Sequence, residues 1–182
     1  MATWNFDPTH TAASFAARHM MITTVRGSFT NVTGTLEYDP ENPAAASVEA
    51  VIDTRSMTTT GVTDRDNHLK SPDFLNIEQY PTITFKSTKV EPSADGNSAK
   101  ITGDLTIRDV TRPVVLDADL LGVGKSPWGD ERAGFSGSVT INREDFGLTW
   151  NMALETGGWL VSKDVKISLD LEAIRVTETV PA

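Results

Sequence analysis

The sequence predicts an all-β fold of about eight strands, closed into an antiparallel barrel. Three observations predict it. Apolar residues recur with a period of two through most of the 182-residue chain, as in strands with one buried face. Short stretches of turn composition separate these runs, and short connections favour antiparallel neighbours because parallel strands need long crossovers. So many one-sided strands require either two stacked sheets or one sheet closed on itself. The barrel is preferred because long strands close well and leave no edge.

In chain order, the first long strand puts Ala13, Phe15, Ala17, His19 and Met21 on one face and Ser14, Ala16, Arg18 and Met20 on the other. A second, less regular strand covers residues 25–38, with Gly27 and Gly34 as expected sites of a bend or bulge. Val48, Ala50 and Ile52 alternate with Glu49, Val51 and Asp53; Ile83 and Phe85 alternate with Thr84 and Lys86, and Ile101, Gly103, Leu105 and Ile107 with Lys100, Thr102, Asp104 and Thr106. Val114, Leu116, Ala118 and Leu120 form one inward face; Ala133, Phe135, Gly137, Val139 and Ile141 form the next; Val165, Ile167, Leu169, Leu171 and Ala173 form the last. Residues 40–43, 92–97 and 122–130 are loops by composition. No repeat or linker divides the chain, so residues 1–182 read as one domain.

The stretch TDRDNHLKSPDF, residues 63–74, reads as a short helix. Thr63 is its expected N-cap and Asp66 the third residue of a near capping box. Asp64 and Asp66 favour the positive helix end and Lys70 falls in the last turn. Ser71 and Pro72 begin a second turn, and Leu69, Phe74 and Leu75 turn toward the barrel. Residues 142–162 break the alternation, carrying Phe146, Leu148, Trp150, Met152, Leu154, Trp159 and Leu160 around the pair Gly157-Gly158. This stretch is either a flap over the barrel mouth or a plug completing its core. Met152 suits a surface that repacks around lipid.

Composition narrows the function. The net charge of −9 repels phosphate backbones and anionic membranes, so nucleic acid is not an expected partner. The absence of cysteine removes disulfides, thiolate metal sites and cysteine nucleophiles. No apolar run approaches the roughly 20 residues of a membrane span, and the start MATWNFDPTH has no signal-peptide pattern. The expectation is a cytoplasmic protein without stable membrane insertion. A homodimer stays open, since no feature specifies one.

Candidate chemistry is sparse. The three histidines are His10, His19 and His68. His68 lies four residues after Asp64, so a metal group of His10, His19, Asp64 and His68 is one reading. A surface hydrogen bond within a helix explains the Asp64–His68 spacing more simply. Asp104 with Arg108, and Arg143 with Asp145, read as solvated surface pairs. No nucleophile elbow, phosphate loop, dinucleotide fingerprint or zinc-protease spacing is present, and no cofactor is expected. The inward faces mix large residues with Ala13, Ala17, Ala50, Gly103 and Gly137. Such small residues favour a cavity for one small ligand, while filling by large neighbours is the alternative.

The motifs WNFDPTHTAASFAARHM, VRGSF, VEAVIDTRSMTT, RDNHLKSPDFLNIEQYPTITFKST, GDLTIRDVTRPVVL, RAGFSGSVTINREDFGLTWN and LETGGWLV occur in this order. By them the chain resembles the YceI-like family, the bacterial polyisoprenoid-binding proteins. The resemblance covers about residues 4–174. It implies an extended, lipocalin-like, eight-stranded antiparallel barrel with short helices, and a tunnel for an isoprenoid-like or other long-chain lipid. It implies no metal and no established catalytic chemistry.

The leading expectation is therefore a non-catalytic carrier or sequestering protein. Phe15, Ala17, Met21, Phe29, Phe85, Leu105, Ile107, Phe135, Val139 and Ile141 contact the chain of the lipid. Phe74, Leu75, Phe146, Trp150 and Trp159 close one end, and His19 or Arg65 orients the head group. The alternatives are a metal-assisted hydrolase or isomerase using the histidines and Asp64, or a stress-related interaction protein whose barrel is filled.

Overall fold

The computed structural model describes residues 1–177; the end of the expected 1–182 domain, residues 178–182, lies outside them. The strands are β1 (Ala2–Phe6), β2 (Ala12–His19), β3 (Thr23–Phe29), β4 (Val32–Tyr38), β5 (Ser47–Asp53), β6 (Thr82–Pro92), β7 (Ser98–Ile107), β8 (Val110–Lys125), β9 (Glu131–Asn142) and β10 (Val161–Arg175). One α-helix, α1 (Thr63–Lys70), and three short 3₁₀ turns accompany them. None of the described helices is long and apolar enough to cross a membrane.

Eight strands close a ring in the order β1-β4-β5-β6-β7-β8-β9-β10, and β10 pairs back onto β1. Neighbours are antiparallel throughout. The remaining two strands form a hairpin on the same edge of β10 that β1 uses. β1 pairs with Ala173 to Arg175, and β2 with Val161 to Asp170. Between them the chain turns over Glu172, whose carbonyl accepts from Asp7 N at 2.8 Å and from Thr11 Oγ1 at 3.3 Å. So β1 and β2 act as one interrupted wall strand, and β3 and β4 as its neighbour.

The expected single strand over residues 25–38 is broken at Thr30–Asn31, not bent at its glycines. There Ser56 Oγ accepts from Asn31 N at 3.0 Å, and Phe29 bridges to Met57. The register runs unbroken through Gly27 and Gly34. These glycines serve close packing instead. A Cβ on Gly27 would overlap the Phe15 ring, one on Gly34 the Glu49 carbonyl and the Phe6 ring, and one on Gly103 the Phe85 ring and the Lys86 carbonyl. The bulges lie elsewhere, between Ser87 and Lys89, Leu120 and Gly122, and Val161 and Val165. The strand that the periodicity misses is β1; it is only five residues long, yet it buries Trp4 and Phe6 in the core.

The helix lies where expected, with different fastenings. Val62 precedes it without a side-chain cap, and Thr63 is its first residue. Asp66 does not close a capping box: it is buried and accepts from Thr59 Oγ1 at 2.6 Å and from Thr60 N at 2.8 Å. These bonds hold the carboxyl down to about 2 and pin the incoming loop. Leu69, at the end of the helix, and Phe74 and Leu75, in the turn after it, point inward.

Candidate functional site

The inward faces leave an internal cavity of about 280 Å³ along the barrel, near the lower end of the roughly 300–1,000 Å³ typical of ligand pockets. Its wall is almost wholly apolar. Beside Gly137 stand Ala118 on β8 and Leu169 on β10, so two small residues, Gly137 and Ala118, adjoin on the wall. One end is covered by α1 and the following turn through Leu69, Phe74 and Leu75, together with Phe146 and Leu148. The other is bounded by Pro43, Val90, Asn97, Asp119 and Asp170 from the loops and strand ends opposite.

Of the expected contacts, Phe15, Ala17, Phe29, Phe74, Leu75, Phe85, Leu105, Ile107, Phe135, Val139, Ile141 and Phe146 line this cavity. Four do not. Met21 is exposed because β2 ends at His19 and Met20-Met21 form the hairpin turn, with φ of 52° and 63°. His19, at that strand end, lies beyond the lining. Trp150 packs outside Phe74, at 5.5 Å between ring centroids. Trp159 is half exposed in a loop that pairs with Ala153. Arg65 is not among the lining residues either; its Nε and Nη2 donate to Thr60 Oγ1 and Thr60 O at 2.7 and 2.6 Å. Lining residues absent from the expectation include Phe6, Val32, Leu36 and Tyr38; alternation within the interrupted strands was the available signal.

Residues 142–162 act as plug and outer loop in turn. Phe146 and Leu148 are buried, whereas Met152 is exposed. Asn151 fastens the two parts by donating to Val161 O at 2.8 Å and accepting from Val161 N at 3.0 Å.

Arg143 is not a surface partner of Asp145. It is 3% exposed and lines the cavity. Its Nε donates to Ser162 O at 2.8 Å and its Nη1 to Leu148 O at 2.6 Å. Its Nη2 is buried without a partner. Burial pushes its pKa down, because the charged form loses water.

The four residues of the metal alternative are not brought together. His68 Nε2 bonds Asp73 at 2.8 Å, not Asp64, and its ring stands edge-on to Phe74 and Trp150. His10 lies on the turn beside Glu172, at the opposite end of β10 from His19. Among the described residues, His10 shares a donor cluster with Asp7 and Glu172. That cluster already holds a cation: Arg132 Nη1 pairs with Asp7 at 2.9 Å and also with Glu172.

The cluster ties β1, β2, β9 and β10 together and should make stability depend on pH. Hydrogen bonding to Asp7, then the Glu172 charge, raises His10 above its ordinary 6.5. Bonds from His10 and Thr9 hold Asp7 far below its ordinary 3.8. The His10 contribution is therefore complete below about pH 6.5 and is lost as pH rises through its folded value; the Asp7 contribution is lost only in acid. Thermal melts of the protein and of His10→Gln should differ most near pH 5–6 and converge above about pH 8, and parallel curves would contradict this.

The YceI-like domain profile matches residues 4–173. A UPF0312 protein of Pseudomonas paraeruginosa is 41% identical over 166 residues, 91% of this chain and 82% of the relative. The crystal structure of the Campylobacter jejuni YCEI protein is similar at 32% identity and TM-score 0.73, covering 88% of this chain and 90% of that one. A polyisoprenoid binding domain from Saccharophagus degradans shares the fold at TM-score 0.68 and 14% identity, over 97% and 100% of the two chains.

Proposed function

We propose that this chain, which belongs to the YceI-like family, is a non-catalytic carrier or sequestering protein for one isoprenoid-like or other long-chain amphiphile. The observation that carries this is the apolar cavity inside a closed barrel. Each methylene moved from water into it contributes about 0.8 kcal/mol before ordering costs. The polyisoprenoid binding domain with the same fold supports the ligand class.

The head group seats at the α1 end, where Arg143 lines the cavity with Nη2 unpartnered. An acceptor oxygen there would satisfy a buried donor that is otherwise costly. The chain then runs toward Val90 and Leu120.

Native mass spectrometry of freshly purified protein, followed by solvent extraction, tests the reading. A bound long-chain lipid near one per chain is expected. Protein that is empty, and that also fails to take up added isoprenoid, would refute it.

A further inference from the structure

Two loops build an apolar tip at the barrel end that carries the β2–β3 turn. Met21 and Ile22 are 61% and 71% exposed, and Met152 and Trp159 are 56% and 50% exposed. Backbone bonds hold the loops side by side: Met20 N donates to Leu160 O at 2.8 Å, and Leu160 N to Met152 O at 2.9 Å. These side chains therefore form one patch, unlike the scattered single apolar residues of ordinary surfaces.

Behind the tip lies a basic collar. Arg18 and Arg26 are diagonal neighbours across β2 and β3, and Lys166 and Arg26 both flank Ala16 in one cross-strand row. Their strand neighbours Ala17, Val165 and Ile167 line the cavity, so by alternation all three point outward. All three are exposed, and the ion pairs that employ other basic residues do not include them. Glu155 and Asp164 are the acids of the adjoining chain. The collar stands two to four residues behind the tip, about 7–13 Å along the strands. Apolar groups sunk about 5–10 Å into an interface would put it among the head groups.

We infer that this tip docks on the surface of a bilayer containing anionic lipid. A bilayer is the occupant that matches an apolar end with cations set behind it, and the patch lies a few residues along the strands from the cavity wall. Ala17 and Val161 line the cavity, and His19, which pairs with Val161, immediately precedes the turn. The net charge of −9 suggests the opposite because it sums the whole chain, whereas at this end Arg18, Arg26 and Lys166 stand exposed outside the ion pairs of the described residues. The choice of a bilayer rests in part on the lipid-binding reading, so the test measures the two separately.

The test is co-sedimentation with vesicles of phosphatidylcholine alone and with about a third phosphatidylglycerol. Wild-type protein should sediment with the anionic vesicles and be released by salt. Each basic side chain near such a surface is worth about fivefold in affinity, so Arg18→Ser with Arg26→Ser and Lys166→Ser should bind at least tenfold more weakly. Met21→Asp with Ile22→Asp should do the same; aspartate tolerates the left-handed backbone of position 21. Isoprenoid uptake from ethanol solution, without vesicles, should be unchanged in both variants, and circular dichroism melts would confirm their fold. Wild-type protein left in the supernatant, or variants that sediment like wild type, would overturn docking whatever the uptake assay gives. A concentration-dependent dimer abolished by Ile22→Asp, without vesicle binding, would assign the patch to a second copy and overturn it too.

Discussion

Gly137→Phe is expected to abolish uptake of an isoprenoid chain while leaving the barrel at least as stable. A Cβ at position 137 would meet Asp117 O at 3.7 Å and Leu169 at 3.8 Å, which is ordinary contact. Its register partners Ala118 and Leu169 are lining residues like itself, so a benzyl group there projects into the cavity and not into the wall. Displacing about four methylenes, at about 0.8 kcal/mol each, removes about 3 kcal/mol, or at least a hundredfold in affinity. The folded state loses nothing comparable. Glycine within a strand is itself unfavourable by roughly 0.5–1 kcal/mol, and the new ring buries apolar surface. Titration with a long-chain lipid followed by native mass spectrometry reads the first effect, and a denaturant melt the second. Wild-type affinity in a folded Gly137→Phe protein would place the ligand outside the barrel axis.

The contrast among the small inward residues shows how far the sequence could be read. Alternation identified the faces of Ala17, Ala50, Gly103 and Gly137, where a period of two survives; Gly27 and Gly34 it read only as bends in one irregular strand. It could not separate a small residue facing empty space from one facing a ring. Ala17, Ala50 and Gly137 border the cavity, whereas the space above Gly27, Gly34 and Gly103 is taken by Phe15, Phe6 and Phe85. Cavity and filled barrel, alternatives on the sequence alone, are thus both present at different heights of the wall. Which one holds at a given glycine depends on the aromatic residue placed beside it by strand register.

Polar residues were less legible for the same reason. Arg143 and Asp145 look like a surface pair by spacing, but the 3₁₀ turn at Arg143–Phe146 turns the arginine inward, onto two carbonyls. His68 meets Asp73 because the chain reverses after Ser71, a fold-back that helical spacing does not describe. The ordered motifs fared better than any single residue: they pointed to the family that the domain match then showed.

Glycine packing leads to the second large effect. Gly34→Ala should destabilise the protein by about 3 kcal/mol or more, in the upper range for overpacking, lowering the melting temperature by roughly 6–12 °C for a chain of this size. The added methyl would overlap the Glu49 carbonyl oxygen and also approach Phe6 Cε2 at 2.7 Å. β4 lies between β1 and β5 in the closed ring, so neither neighbour can withdraw without opening a ladder. Gly27→Ala is the control. The three atoms nearest its methyl all belong to the Phe15 ring, the end of a side chain, so Phe15→Leu should recover most of the loss. Phe6→Leu should not rescue Gly34→Ala, because the backbone oxygen remains. Paired thermal melts of the single and double variants measure both couplings. Equal rescue at the two sites would mean that the β4–β5 ladder yields more readily than its closure in the ring implies.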